Sequence, residues 1–148
     1  MYQKKSIVNI LKKIYNLQQE VKAIEKDSEN PYFKSSYFDI NKIIEVLKPI
    51  LNTQGLAIYQ PVIFQDGKNI LTTTVADIES GEFITSSISL PDNLEPQKMG
   101  SAITYLRRYS LQSMLFLQAE DDDGSIASPK NTTKGQSNNN SNGAELPF

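Results

Sequence analysis

The 148-residue chain contains no cysteine, no histidine and no tryptophan. Without cysteine there are no disulfides, no thiolate metal sites and no thiol nucleophile. Without histidine the chain lacks the side chain used most often as a general base or metal ligand near neutral pH. No apolar run approaches the ~18 residues that cross a bilayer as a helix. The opening stretch MYQKKSIVNI has no apolar segment followed by a small-residue cleavage site, so a soluble cytoplasmic protein is expected. Walker-type phosphate loops and dinucleotide glycine fingerprints are also missing, which disfavours an ATP-driven recombinase or helicase. The length allows one folded domain and a tail.

Arginine is nearly absent too. The only two stand side by side, Arg107-Arg108, in a chain whose other basic residues are all lysines. The planar five-donor guanidinium suits phosphate, so the pair marks a candidate site. The net charge of -2 hides an asymmetry: residues 1–50 carry nine lysines against six acids, whereas residues 119–148 carry two lysines against five acids. Most of that late acid is one run, Glu120-Asp121-Asp122-Asp123. A low overall pI therefore does not argue against a nucleic-acid partner for the rest of the chain.

The apolar period predicts a helix over residues 7–26, through Ile7, Ile10, Leu11, Ile14, Leu17, Val21 and Ile24, with Ser6 as N-cap. Ser28-Glu29-Asn30-Pro31 reads as a helix stop and turn. Four aromatics then crowd into Tyr32–Phe38. Asp39 caps a second helix with Ile40, Ile43, Ile44, Leu47 and Leu51 on one side; Pro49 disturbs its last turn and Gly55 follows as C′ residue. Three β-prone stretches come next: Leu56–Phe64, Ile70–Asp77 and Glu82–Leu90. Gln65-Asp66-Gly67-Lys68 and Ile78-Glu79-Ser80-Gly81 join them as turns. Alternation in the last strand separates Phe83, Thr85, Ser87 and Ser89 from Ile84, Ser86, Ile88 and Leu90, leaving one face polar and open. Residues 97–114 read as a third helix, with Met99, Ile103, Leu106, Ser110 and Met114 as its apolar or small stripe and both arginines off that stripe. The fold class is α+β, an α-α-β-β-β-α domain over residues 1–124. Residues 125–148 form a flexible low-complexity tail. Its tip, Glu145-Leu146-Pro147-Phe148, reads as a docking peptide. The few strands leave edges for oligomerisation to cover.

Single-strand binders combine basic side chains along a phosphate path with aromatics that stack on bases. Lys34, Tyr37, Lys98, Tyr105, Arg107 and Arg108 are the candidates for such work. Phe33 and Tyr109 are assigned to the core. The run Glu120, Asp121, Asp122 and Asp123 allows three readings: a solvated domain boundary, an electrostatic regulator, or a loose Mg2+ site in which the ion modulates. No resident cofactor and no catalytic residue is expected.

Three stretches together resemble the ERF family of phage single-strand annealing proteins. The first is Asn30–Asp39 (NPYFKSSYFD) with the helix after it. The second is the Thr-rich meander with its Ser80-Gly81-Glu82 turn. The third is Pro96–Leu111 (PQKMGSAITYLRRYSL), with Glu120-Asp121-Asp122-Asp123-Gly124 beyond it. The likeness covers about residues 5–124. It implies an ATP-independent protein that coats single-stranded DNA, pairs complementary strands and assembles into rings or filaments. It also implies a core akin to that of the eukaryotic annealing protein of double-strand-break repair. Lys34 and Arg107-Arg108 would then line the DNA path, with Gly100, Ser101 and Ala102 as close-packing positions below it. The tip resembles that of bacterial single-strand-binding proteins, which implies a host single-strand-binding or repair protein as a further partner. A passive strand-protecting protein, a Mg2+-dependent nuclease using the acidic run and a phage structural adaptor are the competing readings.

Overall fold

A computed structural model of the chain describes residues 6–29, 32 and 36–120. Helix α1 (Val8–Glu20) buries Ile10, Ile14 and Leu17, spaced four and three apart on one stripe. Ile7 and Leu11 share the period yet stay exposed. The helix is shorter than expected. Val21 turns to extended backbone at ψ 123, and the following segment meets the other end of the described chain. Ile24 bridges Ala119; its N–H donates to the Gln118 carbonyl at 2.8 Å, and its own carbonyl accepts from Glu120 N–H at 2.9 Å. Ile24 is buried, through that bridge and not along a helix.

The cap is also displaced. Ile7 takes the N-cap position without a side-chain cap, and Ser6 Oγ accepts only a long 3.4 Å bond from Val8 N–H. A carboxylate from the β5–β6 turn, remote in sequence, does the capping: Glu82 Oε2 accepts from Ile10 N–H and its Oε1 from Asn9 Nδ2, both at 2.9 Å. Ile10 is the third helical residue, where an N-cap side chain ordinarily bonds.

Two short strands replace the expected turn after α1. β1 (Ser28–Glu29) pairs antiparallel with β2 (Ser36–Tyr37), and Tyr32 stands fully out between them. Of the crowded aromatics, Phe38 is core. Phe33 lies outside the described residues, as do Lys34, Asp121, Asp122, Asp123, the tail 125–148 with its tip, and so the expected boundary at 124. α2 (Ile40–Gln54) begins where Asp39 accepts from Lys42 N–H at 2.9 Å and ends on Gly55 in the left-handed region at φ 63. Pro49 sits within it without ending it. Ile40, Ile43 and Leu47 are buried, but Ile44 is not.

The expected first strand appears as β3 (Leu56–Tyr59) and β4 (Val62–Gln65), both antiparallel to the long central β5 (Lys68–Asp77). The register is unbroken: Tyr59 faces Thr74 and Val62 faces Leu71. Pro61 causes the gap because it has no N–H to donate, yet its carbonyl still accepts from Thr72 N–H at 2.9 Å. Asp66 and Gly67, at φ 51 and 75, close the β4–β5 hairpin in the way an Asp-Gly turn does. β6 (Phe83–Ser89) pairs with the other side of β5. The helices cover the face bearing Leu71, Thr73 and Val75. On the opposite face Thr74 meets Thr85 at 3.0 Å and Thr72 meets Ser87 at 3.2 Å, so the expected polar face is there. α3 (Pro96–Leu115) completes the layer of helices. Its buried residues are Leu111 and Leu115, so the core ridge is Ile103-Arg107-Leu111-Leu115 at four-residue steps, with Leu106, Ser110 and Met114 beside it.

At the β5–β6 turn, buried Asp77 accepts from Lys13 Nζ at 2.6 Å, from Ser80 Oγ at 2.7 Å and from Glu79 N–H at 3.0 Å. Lys13 also reaches Glu79 at 2.7 Å. The Lys13 hydrogen bond first, then that of Ser80, lowers the Asp77 pKa from 3.8 to about 2. A carboxyl with a depressed folded-state pKa stabilises fully above its unfolded value and loses that contribution as pH falls through the folded one. Asp77→Asn is therefore expected to flatten the decline of melting temperature between about pH 4 and pH 2, followed by circular dichroism.

Candidate nucleic-acid interface

Successive helical residues turn by about 100°, so adjacent arginines cannot share one direction. Arg107 stands on the core ridge of α3, half-buried, and its Nε donates to Gln60 Oε1 at 3.3 Å. Gln60 is the residue before the strand-splitting Pro61. Its Nε2 donates to Thr73 Oγ1 at 2.9 Å and to the Arg107 carbonyl at 3.1 Å. One amide thus ties the sheet to α3 at the arginine. The expectation that both arginines lie off the apolar stripe is corrected for Arg107: it interrupts that stripe, and Gln60 satisfies it there.

Arg108 points the other way. Its guanidinium carbon lies 4.2 Å from the ring centre of Tyr37, 4.8 Å from that of Tyr109 and 5.5 Å from that of Tyr105. Tyr105 and Tyr109 flank it at i−3 and i+1, with ring centres 4.4 Å apart and planes tilted by 49°. Tyr37 comes from the base of the β1–β2 hairpin. A cation over ring faces gains about 0.5–1 kcal/mol where exposed, and three rings fix the direction of the guanidinium. The Tyr109 side chain, by hydrogen bonding to Tyr105, raises the Tyr105 pKa above the ordinary value, against the opposing charge of Arg108. The Tyr105 hydroxyl keeps its proton and remains a donor at neutral pH. Tyr105 and Tyr109 are both substantially exposed, which corrects the assignment of Tyr109 to the core. The spacing Tyr105-Arg108-Tyr109 was the available signal, since residues three and four apart share a helix face.

These side chains border a cleft of about 950 Å3 between α3, the start of α2 and β2. Gln97, Ser101, Thr104 and Asn41 add amide and hydroxyl groups to its walls. Lys98 is exposed one heptad before Tyr105 on the same side of α3. Gly100 also lines the cleft, and a β-carbon there would meet nothing within 4 Å. It is not a close-packing position, because it faces out of the helix layer. Gly100→Ala is expected to raise stability by about 0.5–1 kcal/mol, the helix-interior cost of glycine, read from thermal melts. The ion pairs among the described residues involve Lys13 and Lys42 only, so no carboxylate among those residues pairs with either arginine. Glu120, exposed, closes the Ile24 bridge far along the chain. No three of His, Cys, Asp and Glu gather among the described residues.

A family model described as the ERF superfamily matches residues 10–146. The chain belongs to the ERF superfamily. This is a family of phage recombination proteins, and the ERF match covers most of the chain. Neither the curated proteins nor the solved structures contain a match, so the expected kinship with the eukaryotic annealing core has no solved counterpart. No helix among the described residues is long and apolar enough to cross a membrane.

Proposed function

We propose that this ERF protein binds single-stranded DNA and anneals complementary strands without ATP or covalent chemistry, acting on phage DNA in the cytoplasm of the bacterial host. One observation carries the reading: Arg108, paired with no carboxylate among the described residues, is held among Tyr37, Tyr105 and Tyr109 at the edge of an open polar cleft. Guanidinium answers phosphate, and tyrosine faces answer unpaired bases regardless of sequence. Lys98 extends the positive track along α3. Lys34, three positions before Tyr37 in the sequence, is proposed as a further phosphate ligand. Arg107 contributes charge from the neighbouring groove. Duplex formation supplies the favourable free energy, so the protein needs only to hold two strands with bases outward and reduce their repulsion. Copies associate through the open edges of β6 and β4, which extends the DNA track from subunit to subunit.

A fluorescence-transfer assay on complementary oligonucleotides, without nucleotide cofactor and with or without Mg2+, tests this. Strand pairing faster than the spontaneous rate is expected. Tight binding with no acceleration would reduce the protein to passive strand protection, and cleaved product appearing with Mg2+ would replace annealing by a nuclease.

A further inference from the structure

A second concavity of about 650 Å3 lies between α2, β3 and α3, on the other side of α3 from the tyrosines. Its floor is apolar: Ile44, Leu51, Ile58 and Ile103. Its rim carries two cations, Lys48 and Arg107, and no carboxylate among the described residues pairs with either. Ile44 belongs to the apolar period of α2 yet remains exposed here. The site therefore calls for an occupant with large apolar side chains beside a negative charge. The volume lies within the roughly 300–1,000 Å3 typical of pockets that bury a compact ligand.

The chain itself carries such a segment. Between residues 121 and 148 the only two large apolar side chains within three positions of each other are Leu146 and Phe148, and Glu145 precedes them. We propose that Glu145-Leu146-Pro147-Phe148 docks in this groove of its own chain. Leu146 and Phe148 lie on the apolar floor, and Glu145 faces Lys48 and Arg107. The described chain ends at Glu120, tied to Ile24, and 24 residues lie between Glu120 and Glu145. The intervening sequence is rich in Ser, Asn and Gly; in general, sequences of that composition and length have an r.m.s. span of ~25–30 Å. This is comparable with the diameter of a domain of this size, whose radius of gyration is about 13–14 Å. Tethering of this kind supplies an effective concentration on the order of millimolar, so a weak peptide contact suffices. Because Arg107 serves both the groove rim and the proposed phosphate track, docking and DNA binding oppose each other. Only this last consequence rests on the DNA-binding reading.

The test uses the full chain with the photoreactive analogue benzoylphenylalanine at Phe148, crosslinked by light and mapped by mass spectrometry. Crosslinks concentrated on Ile44, Leu51 and Ile103 are expected. Glu145→Lys is expected to lower their yield severalfold, and adding Lys48→Glu to restore much of it. Crosslinks scattered over the surface, or unaffected by either charge change, would overturn the proposal. Mixing isotopically light and heavy chains tests the same-chain assignment, which crosslinks joining light to heavy would overturn. A saturating single-stranded oligonucleotide is expected to reduce the yield. Groove crosslinks that persist at full yield with DNA present would leave the docking intact and count against Arg107 in the DNA path.

Discussion

Arg108→Ala is expected to weaken binding to single-stranded DNA by about ten- to a hundredfold. Truncating a stacking group on such a surface loses ~1–3 kcal/mol, and 1.4 kcal/mol corresponds to a tenfold change. The guanidinium does two things at once. It presents charge to phosphate, and it keeps Tyr37, Tyr105 and Tyr109 in one array. Loss of one phosphate contact is expected to reduce the slope of log affinity against log salt by about 0.7. Arg108→Lys separates the two contributions: the ammonium retains the charge but not the planar stacking surface. It should keep the salt slope and still lose affinity. Fluorescence anisotropy with a labelled oligonucleotide at several salt concentrations measures both. Arg107→Ala is expected to differ, since that side chain is fixed by Gln60 and faces a different groove. Its larger effect falls on stability, because Gln60 loses one of its partners. Wild-type affinity and slope in Arg108→Ala would remove the tyrosine cleft from the DNA path.

The adjacency of the arginines was visible in the sequence; their divergence followed from helical rotation but needed the core ridge to be placed correctly. The period of α3 is ambiguous because Met99, Ile103, Leu106, Ser110 and Met114 form one plausible stripe and Ile103, Leu111 and Leu115 another. Leu111 and Leu115 are the buried pair, and a polar Arg107 between Ile103 and Leu111 obscured that ridge. The same ambiguity puts Tyr109 beside the core stripe when only the period is considered, whereas its ring is exposed. Gln60 carried no signal at all. An amide before a proline reads as the end of a strand, and only the fold brings it to Arg107 and Thr73. Tyr37 was legible as an aromatic near a basic residue, but its position under Arg108 depends on a pair of two-residue strands too short for any periodicity to reveal.

The elements read best were those whose cause is local. Asp39, Gly55 and Asp66-Gly67 each act within a few residues, and each stands where its chemistry requires. The β3–β4 gap is a missing donor at Pro61 and not a change of register. α1 was read least well at its ends, because both are settled by residues far away in sequence. Its C-terminal side is drawn off by the pairing of Ile24 with Ala119, and its N-terminal side is capped by Glu82.

That remote cap yields the largest stability effect expected of a single polar side chain here. Glu82 is buried and gives its two carboxylate oxygens to Ile10 N–H and Asn9 Nδ2. Glu82→Ala leaves a buried helix-end N–H without its partner, a loss of about 1–3 kcal/mol, or a fall of roughly 5–10 °C in melting temperature for a domain of this size. A negative group at a helix N-terminus also gains ~0.3–1 kcal/mol from the dipole. Glu82→Gln retains an oxygen acceptor for Ile10 while losing that charge, so it should cost less than half as much as alanine. Amide exchange locates the effect: protection should drop first in the opening turn of α1, which has no cap from its own N-cap residue Ile7. Equal losses in the two variants would assign the contribution to charge alone, and an unchanged Glu82→Ala would show that α1 is held by Ile10, Ile14 and Leu17 without it. Because α1 packs on α2, whose other side borders the Lys48 groove, fraying confined to the first turn should leave DNA affinity intact while lowering the melting temperature.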